Sequence, residues 1–537
     1  MERLIAWVLA ALQWLAGLGG FTYEIDAGQP GDVLGNVVSN VNVWEMGTQF
    51  YDAQPAPEND IYEFVEYVQL MQCCGGSPAR DLFRDPADRS VLDDYDFSRL
   101  IRNCAGILRL GAKPCLKLGS VPEKFVAQPL IRGFGTNVLP PEDYDVWYAY
   151  IAALGTALTE AFGRDEVLTW HFTVMTEFEN ADWFDAGAPA ASAEAFCKLY
   201  DYAVQALIDT VGPQVYVGAH AMAVTEGAWE EEQFIRHCAQ GVNYKTGATG
   251  TKLNCLSASY YVEEPGRTGK RKDLETTVGD LRKAAEQYGL TGLDYGVDEG
   301  RVLCASPGRD DSQLLSRTVG DQWQAAFDAQ LYARCLTNGI GYFSAWSYKS
   351  EGLNAGSPTL SFHVARQIAK WRGSQLLPAW RLQGLRHGAE IRPCAAYDAQ
   401  SGTLRIMAYN YKNKTDYRRS ASLRLQLRQL PFRDGEVCVK AYRINDDCNY
   451  FDDWRRDRAA YGIGDDCFSW SPDCPNIGGN LIDPAARALY FEQLAPQYAA
   501  ASQLTPETAA ATVRDGALTL KTNLGPNEVV FYEITQP

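Results

Sequence analysis

The sequence predicts an α/β protein, a (β/α)8 TIM barrel carrying an accessory antiparallel β-sandwich domain. Three observations lead there. From about residue 36 to about 350, short apolar runs alternate with helical stretches, and parallel strands require such helix-length crossovers. Beyond a helix at about 359–372 the pattern changes to short, turn-bounded runs that alternate apolar and polar residues, the mark of antiparallel strands. The length, 537 residues, exceeds one ordinary domain.

Each element has its own justification. Residues 1–20, MERLIAWVLAALQWLAGLGG, are uncharged from Leu4 to Gly20 and read as a signal or anchor segment or an N-terminal helix. The run is short for a membrane span of ~20 apolar residues. Residues 21–35, opening with FTYEID, are expected to add a strand to the sandwich. The barrel is expected over 36–375, with strands in VVSNVNVW (37–44), VQLMQCC (68–74), AKPCLKLG (112–119), VLTWHFTVM (167–175), VYVGAHAM (215–222), LNCLSASYY (253–261), LDYGVDEG (293–300) and GIGYFSAW (339–346). IYEFVEYVQL (61–70) reads as helical. PPEDYDVWYAYIAALGTALTEAFG (140–163) opens with Pro and acids and stops at Gly163; AEAFCKLYDYAVQALIDTVG (193–212) stops at Gly212. An open doubly wound sheet is the competing topology, but no GxGxxG follows the first strand. The sandwich, 376–537, draws its strands from GTLRIMAYNYKN (402–413), SASLRLQLRQL (420–430), VCVKAYRI (437–444), GALTLKTN (516–523) and EVVFYEIT (528–535).

Composition excludes some partners. The net charge of −18, from 67 acids and 49 bases, disfavours nucleic acid and anionic membranes, which need a basic surface. RTGKRKD (267–273) reads as a solvated loop or helix start. The 14 cysteines include no CxxC pair, and the five histidines are scattered, so no zinc spacing is present. Cys73, Cys115, Cys255 and Cys304 lie in or beside apolar runs and are expected as buried thiols. Cys448, Cys467 and Cys474 share an Asp-rich stretch that would suit a disulfide. The apolar N-terminus favours secretion or anchoring and the abundant thiols favour a reducing compartment, so localisation stays open. Aromatics at 12%, with 13 Trp and 29 Tyr, suit either a sugar-stacking cleft or a large aromatic core.

In a parallel barrel the catalytic groups gather at the C-terminal strand ends, so acids directly after apolar strands are the candidates. Glu177 follows WHFTVMT, and Glu299 follows LDYGVD. Paired carboxylates divide the labour of glycoside hydrolysis, one protonating the leaving oxygen and the other attacking the anomeric carbon. The plainer alternative is that these acids cap loops or pair with Arg301.

The order of segments resembles family 39 of the glycoside hydrolases, retaining (β/α)8 enzymes that include β-xylosidases and α-L-iduronidases. AKPCLKLGSVPEKF (112–125), the run 142–178 ending in WHFTVMTEF, VYVGAHAM, and YRINDDCNYFDDW (442–454) carry the resemblance, which spans roughly 21–537. It implies a retaining glycoside hydrolase with Glu177 as acid/base and Glu299 as nucleophile, working through a covalent glycosyl-enzyme without metal or organic cofactor. The implied partner is a glycoside, oligosaccharide or polysaccharide, with β-xylosidase-like chemistry and an open choice of sugar, linkage, exo or endo action and oligomeric state. Several positions depart from the family. Thr176 stands where an Asn usually binds the sugar, VQLMQCCGG lacks a His, and Ser259 replaces a second one. Asp298 precedes the nucleophile and is expected to point away, as alternate strand residues do. The resemblance places Tyr261 against the nucleophile and Trp346 as an aromatic floor under the sugar. Trp44 and Glu45 close the first strand and are candidates to line the pocket. Trp183, with Phe184, either rims the site or pins the loop after Glu177. A non-catalytic carbohydrate-binding barrel, a transglycosylase and a lyase on the same acids are the alternative readings.

Overall fold

The computed structural model describes residues 20–44, 46–48, 50–263, 265, 271–303, 320–346, 348–351, 355–384, 388–467, 481 and 483–536. Residues 1–19 of the expected N-terminal segment, Glu45, Cys304, Cys474 and the start of the basic stretch (267–270) therefore lie outside the described residues.

After β1 (Gly20–Asp26), eight strands run parallel in sequence order: β2 (Asn40–Val43), β3 (Tyr67–Leu70), β4 (Lys113–Leu118), β5 (His171–Val174), β6 (Tyr216–Ala221), β7 (Cys255–Glu263), β8 (Asp294–Leu303) and β9 (Tyr342–Phe343). The last strand returns to the first through a parallel bridge, Val41 to Ala345, and the Asn42 amide donates to the Ala345 carbonyl at 2.7 Å. The sheet so closes into the (β/α)8 barrel with helices outside it.

The helices form where the spacing predicts. Tyr144–Phe162 is capped by the Asp143 side chain, which accepts from the Asp145 amide, and it stops at Gly163, whose φ of 84° suits glycine. Trp147, Tyr150, Ile151, Leu154 and Leu158 make its buried stripe. IYEFVEYVQL differs from expectation: Pro57–Glu63 is a 3-10 turn, and Tyr67–Leu70 is β3. The backbone of Tyr67–Leu70 pairs on both sides, with β2 and β4. Two ladders override a helical spacing of apolar residues.

Beyond the hairpin β10 (Lys349–Glu351) and β11 (Ala355–Pro358) come β12 (Gln375–Leu377), β13 (Ala379–Gln383), β14 (Glu390–Asp398), β15 (Thr403–Tyr411), β16 (Ala421–Arg428), β17 (Gly435–Ile444), β18 (Glu507–Val513), β19 (Leu518–Leu524) and β20 (Val529–Thr535). They form two sheets, ordered β13-β1-β16-β19 and β12-β14-β15-β20-β17-β18. Their inner faces meet in one apolar cluster that includes Phe21, Ile25, Leu404, Ile406, Leu425 and Ile534. β1 pairs parallel with β16, the exception among the otherwise antiparallel pairings of these two sheets in the described residues. Between β17 and β18 stands a small helical cluster, including Phe451–Tyr461 and Ala495–Ala501, packed around Trp454, Tyr490 and Tyr498. Cys448 and Cys467 carry free thiols, as do the buried Cys73, Cys115 and Cys255. Among the described residues, no helix is long and apolar enough to cross a membrane.

Candidate active site

β5 ends at Val174, and the chain turns at once. Met175 and Glu177 hold φ of 63° and 40°, left-handed conformations that cost a non-glycine residue ~1–2 kcal/mol each. The turn is held from several sides. The Asn180 amide donates to the Glu177 carbonyl at 2.7 Å, the Phe178 amide to the His220 carbonyl at 3.0 Å, and the Ala228 amide to the Glu179 carbonyl at 2.7 Å. Phe178 stacks on Phe196 at 4.6 Å. The strained turn aims the buried Glu177 carboxylate into the barrel mouth. There Oε1 accepts from Ser259 Oγ at 2.5 Å and Oε2 from Asn180 Nδ2 at 2.7 Å.

Opposite stands Glu299 on β8, also buried. Its Oε2 accepts from the Tyr261 hydroxyl at 2.9 Å, and Tyr261 accepts from Trp346 Nε1 at 2.6 Å. One carboxylate oxygen of Glu177, one of Glu299 and one ring nitrogen of His220 all lie within 4.8 Å of one another. Such a trio is compact enough to hold a cation. Both nitrogens of His220 already have partners, however, and one of these is an ammonium group, which disfavours a second positive charge there.

Asp298 departs from its expected orientation. The β7–β8 register runs from Ala258↔Val297 directly to Ser259↔Glu299, so Asp298 is the extra residue of a bulge. A bulge breaks the period of two, and two successive side chains face inward. The Asp298 carboxylate contacts Lys117 Nζ at 2.5 Å and accepts from the Tyr342 hydroxyl at 2.5 Å. Burial alone would raise this carboxyl; the Lys117 charge, with the hydrogen bonds from Lys117 and Tyr342, outweighs it and holds the group at about 2. His220 sits 2.6 Å from Lys117 and 3.0 Å from Ser259 Oγ. Burial first, and the Lys117 charge second, push its pKa well below the usual imidazole range. His220 is therefore neutral.

The aromatic candidates come together in one wall. The Trp44 ring lies 5.8 Å from both Trp183 and Trp346 and 6.0 Å from Phe134. Phe134 and Trp183 stack at 4.3 Å. Phe184 is buried against Phe196 and anchors the loop. Thr176 is buried between the two left-handed residues. Arg301 pairs with Asp328 at 2.7 Å and also contacts Ser361.

Sequence reasoning missed Lys117 and His220 as members of the site. A signal for them existed: each is a polar residue within a buried run, PCLKL and VGAHA, and buried polar groups there need partners. It also missed Asn180, whose partner is only three residues away, and Phe134.

Fold and site together define a class, the (β/α)8 barrels that pair buried carboxylates at the C-terminal strand ends. Residues 79–379 match the glycosyl hydrolases family 39, and the chain belongs to that family. It is similar to a beta-xylosidase of Caldicellulosiruptor saccharolyticus, 26% identical over 259 residues that make up 48% of this chain and 49% of that protein. A beta-xylosidase of Geobacillus stearothermophilus is 28% identical over 148 residues, 27% of this chain and 28% of its own length. The chain thus matches half or less of these relatives. Among solved structures, the fold resembles a GH39 enzyme from Xanthomonas axonopodis pv. citri (TM-score 0.63, 14% identity, 97% of this chain and 98% of that one). It also resembles a monomeric beta-xylosidase from Caulobacter crescentus (TM-score 0.62, 16% identity, 96% and 99%).

Proposed function

We propose that this protein is a retaining glycoside hydrolase that cleaves by double displacement, with Glu177 as acid/base and Glu299 as nucleophile. The observation that carries the reading is the short gap between the two acids, with oxygens within 4.8 Å. Retaining enzymes hold their carboxyls ~5–5.5 Å apart, whereas inverting ones leave ~6.5–9.5 Å for a water.

In the first step a Glu299 oxygen attacks the anomeric carbon while its bond to the leaving oxygen breaks, and Glu177 gives that oxygen a proton. The product is a glycosyl ester on Glu299. In the second step Glu177 takes a proton from water, the water oxygen attacks the same carbon, and Glu299 departs as a carboxylate. Two inversions restore the starting configuration. The Tyr261 hydroxyl stabilises the Glu299 carboxylate, and Trp346, holding Tyr261 by its indole N–H, offers a ring face to the sugar beside Trp44. Trp183 closes the wall beyond Trp44, Glu45 stays a candidate sugar contact as the residue next to Trp44 in sequence, and Thr176 offers the sugar one hydroxyl where an amide would offer two kinds of partner.

The beta-xylosidase relatives make an aryl β-xyloside the first substrate to test. An activated 2-deoxy-2-fluoro glycoside should trap the enzyme as a stable ester, and mass mapping should place the label on Glu299. A label on another residue, with turnover intact, would overturn the assignment.

A further inference from the structure

Below the mouth, five side chains form one unbroken chain of contacts: Asp298 on β8, Lys117 on β4, His220 on β6, Ser259 on β7 and Glu177 after β5. The successive distances are 2.5, 2.6, 3.0 and 2.5 Å. Lys117, His220 and Ser259 are 0% exposed and Asp298 is 1% exposed, so no bulk water competes for these groups.

Donor and acceptor rules give the chain one direction. An ammonium only donates, so His220 Nδ1 must accept from Lys117. A neutral imidazole carries a single N–H, and here it sits on Nε2, directed at Ser259 Oγ. The Ser259 oxygen is thereby an acceptor for His220, and its own hydrogen goes to Glu177 Oε1. The reverse polarity would need a hydrogen on Nδ1, facing the Lys117 ammonium, which has no lone pair to accept it. Meanwhile Asn180 takes only one lone pair of Glu177 Oε2.

We propose that Lys117 is a positioning residue: it locks His220 in the Nε2–H tautomer, which turns the Ser259 hydroxyl toward Glu177 Oε1 and leaves Oε2 to exchange the proton with substrate. The inference rests on Glu177 being the acid/base and deepens that reading. The tie is chemical rather than steric. Lys117 never touches the substrate; it decides which way a hydrogen two residues away points. Other charged or titratable groups facing this chain of contacts are Glu299 and Glu179 beside Glu177, Tyr261 on Glu299, and Tyr342 on Asp298. They are the same in every variant below and set a common baseline.

The test is the pH profile of kcat/KM, whose basic limb reports the acid that must be protonated. Ser259→Ala removes a donor to the ionised carboxylate and should move that limb upward by about one pH unit. The double variant Lys117→Met with Asp298→Asn deletes one positive and one negative charge together, so the net field changes little while His220 is freed to change tautomer. Its limb should also move upward, with KM altered less than about twofold. Adding Ser259→Ala to the double should give no shift beyond that of Ser259→Ala alone, because both act through one hydrogen. An unmoved limb in the double variant, or fully additive shifts, would refute the proposal.

A second measurement needs neither activity nor the buried double variant. In protein labelled with 15N-histidine, with the His220 signal identified by its loss in His220→Gln, His220 should remain the neutral Nε2–H tautomer throughout the range where a free imidazole titrates. An Nδ1–H tautomer or an imidazolium there would equally refute it. The two readings fail separately. If Glu177→Gln is inactive but the limb does not move, only the role of Lys117 falls; if Glu177→Gln is fully active, the acid/base assignment falls whatever the tautomer.

Discussion

Between the sheets of the sandwich, Phe21, Ile25 and Leu425 meet Leu404, Ile406 and Ile534. Within the barrel and against its outer helices, at similar depth from solvent, stand Lys117, Asp298, His220, Glu177, Glu299, Arg301 and Asp328. The two interiors obey opposite accounting. Apolar side chains gain ~25 cal/mol for each Å² removed from water, and they need no particular partner. Buried charges lose several kcal/mol of hydration apiece and persist only where a partner stands at contact distance, as Lys117 has Asp298 and Arg301 has Asp328. Equally stable folds can be made from the first material alone. The second is retained where chemistry needs charge held in place, which is why the mouth rather than the sandwich is the place to look for function.

The contrast can be broken most sharply at the two proposed reacting groups. Glu177→Gln and Glu299→Gln should each lower turnover of an aryl glycoside by about 10³-fold or more, with the thermal unfolding midpoint nearly unchanged; full turnover in either would dissolve the functional half of the comparison. Next in size is Asp328→Ala. It removes the carboxylate paired with the Arg301 guanidinium, two residues beyond Glu299, and chemical denaturation should show a loss of about 3–5 kcal/mol, together with impaired turnover. Leu425→Ala, in the sandwich, should cost about 3 kcal/mol from the cavity it leaves while kcat per folded molecule stays constant. If Leu425→Ala changed kcat as Asp328→Ala does, the two interiors would not be functionally separate.

A last test separates two kinds of buried acid. Burial, only partly offset by backbone amides, raises the Asp81 carboxyl to about 7, against about 4 in the unfolded chain. With the folded value above the unfolded one, its stabilising contribution is complete below about pH 4 and is lost as pH rises through about 7. Asp81→Asn removes that dependence, so melting curves taken at a series of pH values should show the variant gaining on the parent from about pH 4 to about 7, with a constant difference above that. Asp298 has the opposite sign: held at about 2, it stabilises above about pH 4 and ceases to as pH falls towards 2. An Asp81→Asn variant that melts in parallel with the parent from about pH 4 to about 7 would show that Asp81 is not buried in its neutral form.

Much of this was readable before any coordinates. Apolar periodicity carried the strand order of the barrel, because a strand buried on both faces must be apolar throughout. The cap and stop residues of Tyr144–Phe162 carried its ends. The errors have physical reasons. IYEFVEYVQL has helical spacing, but its last four residues pair as a strand, since ladder hydrogen bonds on two sides outweigh a weak local preference. The strand Glu507–Val513, rich in alanine, left no alternation to read.

From the residues by themselves came the fold class, the two acids at strand ends, and the aromatic residues that could serve them. Local rules suffice for these because strand length, helix capping and apolar patterning are decided within a few residues of each position. Only the folded chain decided that Asp298 turns inward through a bulge and that Lys117 and His220 stand in line behind Glu177. Those contacts join residues up to 181 positions apart, and their direction depends on which donors and acceptors the closed barrel brings within 3 Å, which no local pattern encodes.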